Sequence, residues 1–217
     1  MSLIVKICGL STPDTIDAAL DAGADMIGLV FFPPSPRCVP LAAAANLAAR
    51  ARGRATLTVL TVDMDEDGLS EIVEAVRPDW LQLHGREPPN QVAAHKRRFG
   101  LPTMKAIGIR EAADLAEVDV YRGVADRLLL DAKPPKGATR PGGNAVAFDW
   151  TILDGFDPGM SWMLSGGLDP GNVGEAVRVT RPPGVDVSSG VESAPGVKDP
   201  ALIATFVAAA RAAAARV

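Results

Sequence analysis

Short apolar runs rich in β-branched residues recur eight times along this chain, at Leu3–Ile7, Met26–Phe31, Thr56–Val62, Trp80–Leu83, Thr103–Ile107, Arg127–Leu130, Ser161–Leu164 and Val185–Val187. Between them lie segments rich in Ala, Leu and Glu with helical character, at Thr12–Ala22, Leu41–Ala51, Glu66–Val76, Asn90–Phe99 and Pro170–Val179. The unit repeats at intervals of roughly 23 to 34 residues. The runs are nearly continuous in hydrophobicity, as expected of parallel strands covered on both faces, and the intervening stretches are long enough for crossover helices. An open doubly wound sheet gives similar local patterns, but no glycine-rich dinucleotide fingerprint follows the first run. The expected fold is α/β, a closed (β/α)₈ TIM barrel.

With 217 residues, 47% of them hydrophobic, the chain can build one sizeable core, so a single catalytic domain over 1–217 is expected. The net charge of −4 and the scattered Lys and Arg residues offer no basic field for nucleic acid. Lys6 interrupts the first apolar stretch, and no run of about 18 uncharged apolar residues occurs, so no membrane partner is expected and the protein reads as soluble and cytoplasmic. Two cysteines, Cys8 and Cys38, are too few for a disulfide framework, and with only His84 and His95 a metal centre is poorly supported. The tail at Ala201–Arg216 is alanine-rich and reads as the last barrel helix.

Active sites of such barrels lie where the strands end at their C-terminal side, so the residues closing each run are the informative ones. Gly166 and Gly167 follow the seventh run, and Ser188, Ser189 and Gly190 follow the eighth. These are the paired loops where barrels commonly hold a phosphate. Glycine gives an anion access to backbone N–H groups, serine adds hydroxyl donors, and a helix N-terminus after Gly190 would add dipole charge; otherwise these are two turns. Asp131 ends Leu128–Leu130, where an apolar setting suits a general acid; a cap or a pair with Lys133 is the other reading. Cys8 is either a small buried hydrophobe or, beside a phosphosugar, a thiolate base.

Arg37 sits in the stiff segment Pro34–Arg37, where its guanidinium either grips a carboxylate with two parallel hydrogen bonds or lies on the surface. Asp186, within the eighth run, orients a hydroxyl or holds a polar network. His84 after Leu83 lines the mouth or is a neutral, satisfied histidine. The Pro- and Gly-rich stretch Ala132–Ala147 is long for a compact domain and reads as a lid.

At these residues the sequence resembles the phosphoribosylanthranilate isomerase family. The resemblance is carried by KICGL at Lys6–Leu10, GLVFFPPSPR at Gly28–Arg37, LQLHG at Leu81–Gly85, LLLDAK at Leu128–Lys133, FDW at Phe148–Trp150, LSGGLDPGNV at Leu164–Val173 and DVSSGVE at Asp186–Glu192. It implies an Amadori rearrangement of a phosphosugar amine in tryptophan biosynthesis, with Cys8 as base, Asp131 as acid and Arg37 on the anthranilate carboxylate. His84 and Asp186 would meet substrate, and Gly166, Gly167, Ser188, Ser189 and Gly190 would hold the phosphate. It implies no metal or other cofactor, a small-molecule phosphosugar as partner, and a monomer or homodimer.

Departures are local. Gly142–Ala145 replaces a more usual Gly-Gly-Thr-Gly, the third run ends in Thr61-Val62-Asp63 where an apolar residue or Asn is more typical, and Cys38 takes a position that is often aromatic. A metal-dependent epimerase barrel would want paired histidines and carboxylates, whereas His95 falls on an expected helix away from the mouth. The histidine-pathway barrel isomerase would place an Asp after the first strand, where Cys8 stands. A phosphosugar-binding protein without catalysis would not need Cys8 and Asp131 together.

Overall fold

Eight parallel strands, β1 (Ile4–Cys8), β2 (Met26–Phe31), β3 (Thr56–Thr61), β4 (Trp80–Leu83), β5 (Thr103–Ile109), β6 (Arg127–Ala132), β7 (Trp162–Leu164) and β8 (Gly184–Val187), form a closed barrel in sequence order. These elements come from a computed structural model describing residues 3–134, 137, 141–143 and 147–216. Helices α1 (Pro13–Asp21), α2 (Leu41–Ala51), α3 (Glu66–Val76), α4 (Pro89–Phe99), α5 (Ala116–Tyr121), α6 (Val173–Thr180) and α7 (Pro200–Ala214) pack outside it. Their caps follow local chemistry: Thr12, Asp65 and Asp199 side chains accept from the first-turn N–H groups of α1, α3 and α7. No helix among the described residues is long and apolar enough to cross a membrane.

The expected barrel is therefore present, with differences at particular elements. β5 and β6 run past their apolar segments because their ladder continues through Gly108 opposite Asp131 and Ile109 opposite Ala132. Asp131 accordingly stands inside a strand, not after it, and Cys8 is the last residue of β1. A helix unforeseen from the sequence, α5, follows a 3₁₀ turn at Ala112–Leu115 whose Glu111 and Asp114 make a reciprocal capping box. Among the described residues the sixth crossover carries only a 3₁₀ turn at Trp150–Leu153. After β8 the chain makes a 3₁₀ turn at Ser189–Val191 and a small hairpin, β9 (Glu192–Ala194) and β10 (Val197–Lys198), before α7 begins. Pro195 and the left-handed Gly196 (φ 83°) turn that hairpin, so the expected helix N-terminus directly after Gly190 is replaced by a single turn.

Because strand side chains alternate, one set faces the helices and the other the barrel axis. The lower axis is filled by Met26, Met104, Ala106, Leu129 and Met163, with the Arg127 guanidinium 4.7 Å over the Trp80 ring. Outside the barrel, Lys105 on β5 is 1% exposed and donates Nζ to the Gly85 carbonyl (2.7 Å) and to Glu87 Oε2 (2.9 Å). Glu87 in turn accepts from the N–H groups of Asp63 and Gly85, which pins the loop that follows β4.

Removing one member of such a pair leaves an uncompensated buried charge, which costs about 3–5 kcal/mol. Lys105→Met should therefore lower unfolding stability in urea by about that amount, whereas Arg122→Ala, breaking an exposed pair with Asp119, should cost below about 1 kcal/mol. Equal costs for the two substitutions would show that the Lys105–Glu87 pair is not energetically buried.

Candidate active site

Val5 and Ile7 of β1 pack toward the helices, so Lys6 and Cys8 point inward. By the same alternation Leu128 and Leu130 leave Asp131 on the axis side of β6, and Val185 and Val187 leave Asp186 there on β8. Register reinforces this, since Lys6 is the direct partner of Asp186 across the β1–β8 ladder. The Lys6 ammonium lies 2.9 Å from Asp186 Oδ1, with both side chains buried. Asp186 thus holds a polar network, one of its two expected roles. Burial works against the Lys6 ammonium, but the facing Asp186 carboxylate and the Cys8 sulfur outweigh it and leave Lys6 above its ordinary 10.5.

Cys8 sits above this pair, in a small apolar cluster with Val30 and Leu60. Burial pushes its thiol above the ordinary 9.0, while the Lys6 ammonium pulls in the opposite direction. On the neighbouring strand Gly28 leaves the space the sulfur needs: a side-chain carbon there would stand 2.8 Å from Cys8 Sγ. Cys8 is thus packed as a small hydrophobe while its side chain also lines the cleft.

Asp131 does not pair with Lys133, which binds Asp114 instead. Its Oδ1 accepts from the Ala132 N–H (3.0 Å), and its Oδ2 lies 3.1 Å from His84 Nε2. His84 Nδ1 is 3.1 Å from Gln82 Nε2, so the ring is held at both ends. From above, Gly142 approaches the pair so closely that a side-chain carbon would come within 2.6 Å of Asp131 Oδ2 and 2.8 Å of His84 Nε2. The rest of the expected lid is described only in part, and Asn144 and Ala145, which carry the departure from the family pattern, lie outside the described residues.

Arg37 is 4% exposed, which removes the surface reading. The two parallel hydrogen bonds of its guanidinium go to the protein's own Glu192, from Nε to Oε1 (2.6 Å) and from Nη2 to Oε2 (2.8 Å). Its Nη1 is directed at Gly143, on the cleft side. Burial opposes ionisation of Glu192, yet Arg37 and Lys198 hold its carboxyl down at about 2.

Cys8, Arg37, His84, Asp131, Asp186 and Ser188 line one cleft at the C-terminal end of the barrel. Val30, Phe32, Leu60 and Val62 make an apolar wall along one side. Next to Ser188 stand Ser189 and Gly190, and Gly190 packs against the Leu168 carbonyl of the loop after β7. In that loop Gly166 and Gly167 are both left-handed (φ 88° and 66°), and Asn172 Nδ2 fixes the Gly167 carbonyl at 2.8 Å. Among the described residues neither glycine N–H is spent on a protein acceptor. Of the five expected phosphate residues, Ser188 lines the cleft itself, and the other four lie in the loops after β7 and β8.

Sequence reasoning missed Lys6, Gln82, Glu192 and Lys198. A readable signal existed for the first, because a lysine two residues before Cys8 in an otherwise apolar strand must share its inward face. Among the described residues no three His, Cys, Asp or Glu side chains gather as a metal site would require.

Residues 5–209 match the family described as N-(5'phosphoribosyl)anthranilate (PRA) isomerase. An N-(5'-phosphoribosyl)anthranilate isomerase from Nitrobacter winogradskyi is 62% identical over 213 residues, covering 98% of this chain and 95% of that protein. The crystal structure of phosphoribosyl anthranilate isomerase from Thermotoga maritima superposes with a TM-score of 0.87 at 31% identity, covering 97% of this chain and 99% of that one. TrpF from Jonesia denitrificans gives a TM-score of 0.83 at 36% identity, with 98% of each chain covered. With its fold, its cleft and its motifs in agreement over nearly the whole length, this chain belongs to the N-(5'-phosphoribosyl)anthranilate isomerase family.

Proposed function

We propose that the cleft converts N-(5'-phosphoribosyl)anthranilate into 1-(2-carboxyphenylamino)-1-deoxyribulose 5-phosphate, the third step of tryptophan biosynthesis from chorismate, with Asp131 as general acid and Cys8 as general base. The observation that carries this reading is that a carboxyl on β6 and a thiol on β1 face one cleft that has an apolar wall and, at Ser188, the start of the loop after β8. A phosphosugar bearing an aromatic ring has those three needs.

Asp131 gives a proton to the ribose ring oxygen as its bond to C1′ breaks, and the nitrogen lone pair forms the C1′=N bond of a Schiff base. The Cys8 thiolate then takes the C2′ proton, and the electrons of that bond move to C1′=C2′ and quench the charge on nitrogen. The resulting enolamine loses its C2′ hydroxyl proton and gains one at C1′, giving the ketose. Since the substrate's own nitrogen takes up the developing charge, the reading assigns no metal or redox cofactor.

Arg37 Nη1 meets the anthranilate carboxylate, and the ring lies on the wall of Val30, Phe32, Leu60 and Val62. His84 orients Asp131, Asp186 accepts from a ribose hydroxyl, and Gly166, Gly167, Ser188, Ser189 and Gly190 hold the phosphate. The protein acts in this reading as one catalytic domain in the cytoplasm, as a monomer or homodimer; a Thermotoga maritima relative is described as dimeric.

The test is loss of phosphoribosylanthranilate fluorescence with purified protein in excess chelator. Turnover unaffected by chelator supports the reading, and an inactive protein rejects it. The pH profile supplies an independent check on the base. A base acts deprotonated, and burial raises the Cys8 thiol above its ordinary 9.0, so in Asp131→Asn, where no acid has to stay protonated, the residual kcat/KM should still be rising as pH passes that value. A rising limb complete by neutral pH would show that another group, or a far more exposed thiol, takes the proton.

A further inference from the structure

A buried polar junction joins the two loops that would hold opposite ends of the substrate, and the chemistry above makes no use of it. Lys198 on β10 donates Nζ to the Ser188 carbonyl (2.7 Å), to Ser188 Oγ (3.3 Å) and to Glu192 Oε1 (2.7 Å). Glu192 also receives the Nε and Nη2 bonds of Arg37 and the Gly196 N–H at 3.1 Å. The side chains of Lys198 and Glu192 are 1% and 4% exposed. One ammonium and one carboxylate therefore connect Ser188 to Arg37, which lines the cleft beside Gly143.

We propose that Glu192 and Lys198 are positioning residues that hold the Ser188 loop and Arg37 in one register, so that both anionic ends of the substrate are gripped by a single rigid bracket. Two cations share one carboxylate here, so the trio keeps one net positive charge beside a cleft whose ligand, in that reading, carries two anionic groups. Glu192 also occupies the Nε–Nη2 edge of Arg37, which leaves Nη1 to the substrate and fixes its direction. A guanidinium and a loop already locked in place lose little rotamer freedom when the ligand arrives. The hairpin turn completes the bracket: the Pro36 carbonyl, just before Arg37, lies so close to Gly196 that a side-chain carbon there would stand 2.6 Å from it.

The proposal rests on the isomerase reading for the identity of the substrate, so it is tested on the two ends separately, by binding. Inorganic phosphate probes the Ser188 loop and anthranilate probes Arg37, each titrated calorimetrically into wild type, Lys198→Met and Arg37→Met. Arg37→Met should weaken anthranilate alone. Lys198→Met, which touches neither probe, should weaken both by about tenfold and raise KM for the whole substrate by about a hundredfold, with kcat changed less. Weakening of phosphate alone would make Lys198 a local prop of Ser188 and overturn the proposal, as would two unchanged affinities in a variant that has merely lost thermal stability. If Lys198→Met does not fold, Glu192→Gln tests the same link at nearly constant volume, with the same two affinities deciding. Wild type that binds both probes without turnover would instead sink the isomerase reading and leave the bracket measurable.

Discussion

Cys8→Ala is expected to reduce kcat/KM by about 10²- to 10⁴-fold, the usual worth of a positioned proton acceptor, with little change in fold or in affinity for a product analogue. Cys8 is 3% exposed and packs with Val30 and Leu60, contacts that alanine partly retains. Loss of rate without loss of ligand would therefore report loss of proton transfer. Cys8→Ser is the stricter comparison. Its hydroxyl nearly matches the thiol in size but is a far weaker acid, so it should fail to restore the rate. Steady-state fluorescence assays decide, and a serine or alanine variant keeping more than about a tenth of wild-type activity would remove Cys8 from the role of base.

An equally large loss, again about 10²- to 10⁴-fold in kcat, is expected for Asp131→Asn. The amide keeps the shape of the carboxyl and can still contact the Ala132 N–H and His84, both of which lie within 3.1 Å of Asp131. It cannot deliver a proton to the ring oxygen. The two variants should also differ in their residual pH profiles: Cys8→Ser should lack the rising alkaline limb, and Asp131→Asn should keep it. If Asp131→Asn turns over normally while His84→Ala does not, the acid is His84 and the roles assigned to the pair must be exchanged.

Much of the architecture was legible because each strand is buried on both faces and so writes itself as an uninterrupted apolar run. The same property hid the strand ends. Asp131 reads as the residue that stops β6, yet the ladder to β5 carries on through it, since an inward carboxyl at the mouth meets the cleft and not the core. The site residues closing each run were legible for the same reason, as Cys8, His84 and Asp131 interrupt apolar stretches. Arg37 was legible only in part. Its stiff Pro-Ser-Pro setting marks it as directed, but nothing in one dimension indicates that its bidentate edge belongs to Glu192, 155 residues away. The hairpin at Glu192–Lys198 is too short to show a period, and α5 is a charged six-residue helix with a weak apolar face that follows a capped 3₁₀ turn.

Lys6 and Asp186 are separated by 180 residues, and they meet across the seam where the last strand returns to the first. A nascent chain emerging from the ribosome as far as β7 already carries the thiol, the acid and the arginine, but it has neither the counter-ion for Lys6 nor the loop at Ser188 nor the carboxylate that directs Arg37. Such a chain has an unmatched ammonium in its unfinished interior and an open edge on β1. Synthesis of β8 removes both liabilities in one event, and the hairpin that follows it brings the carboxylate that directs Arg37. Seven-eighths of this barrel amounts to none of the enzyme.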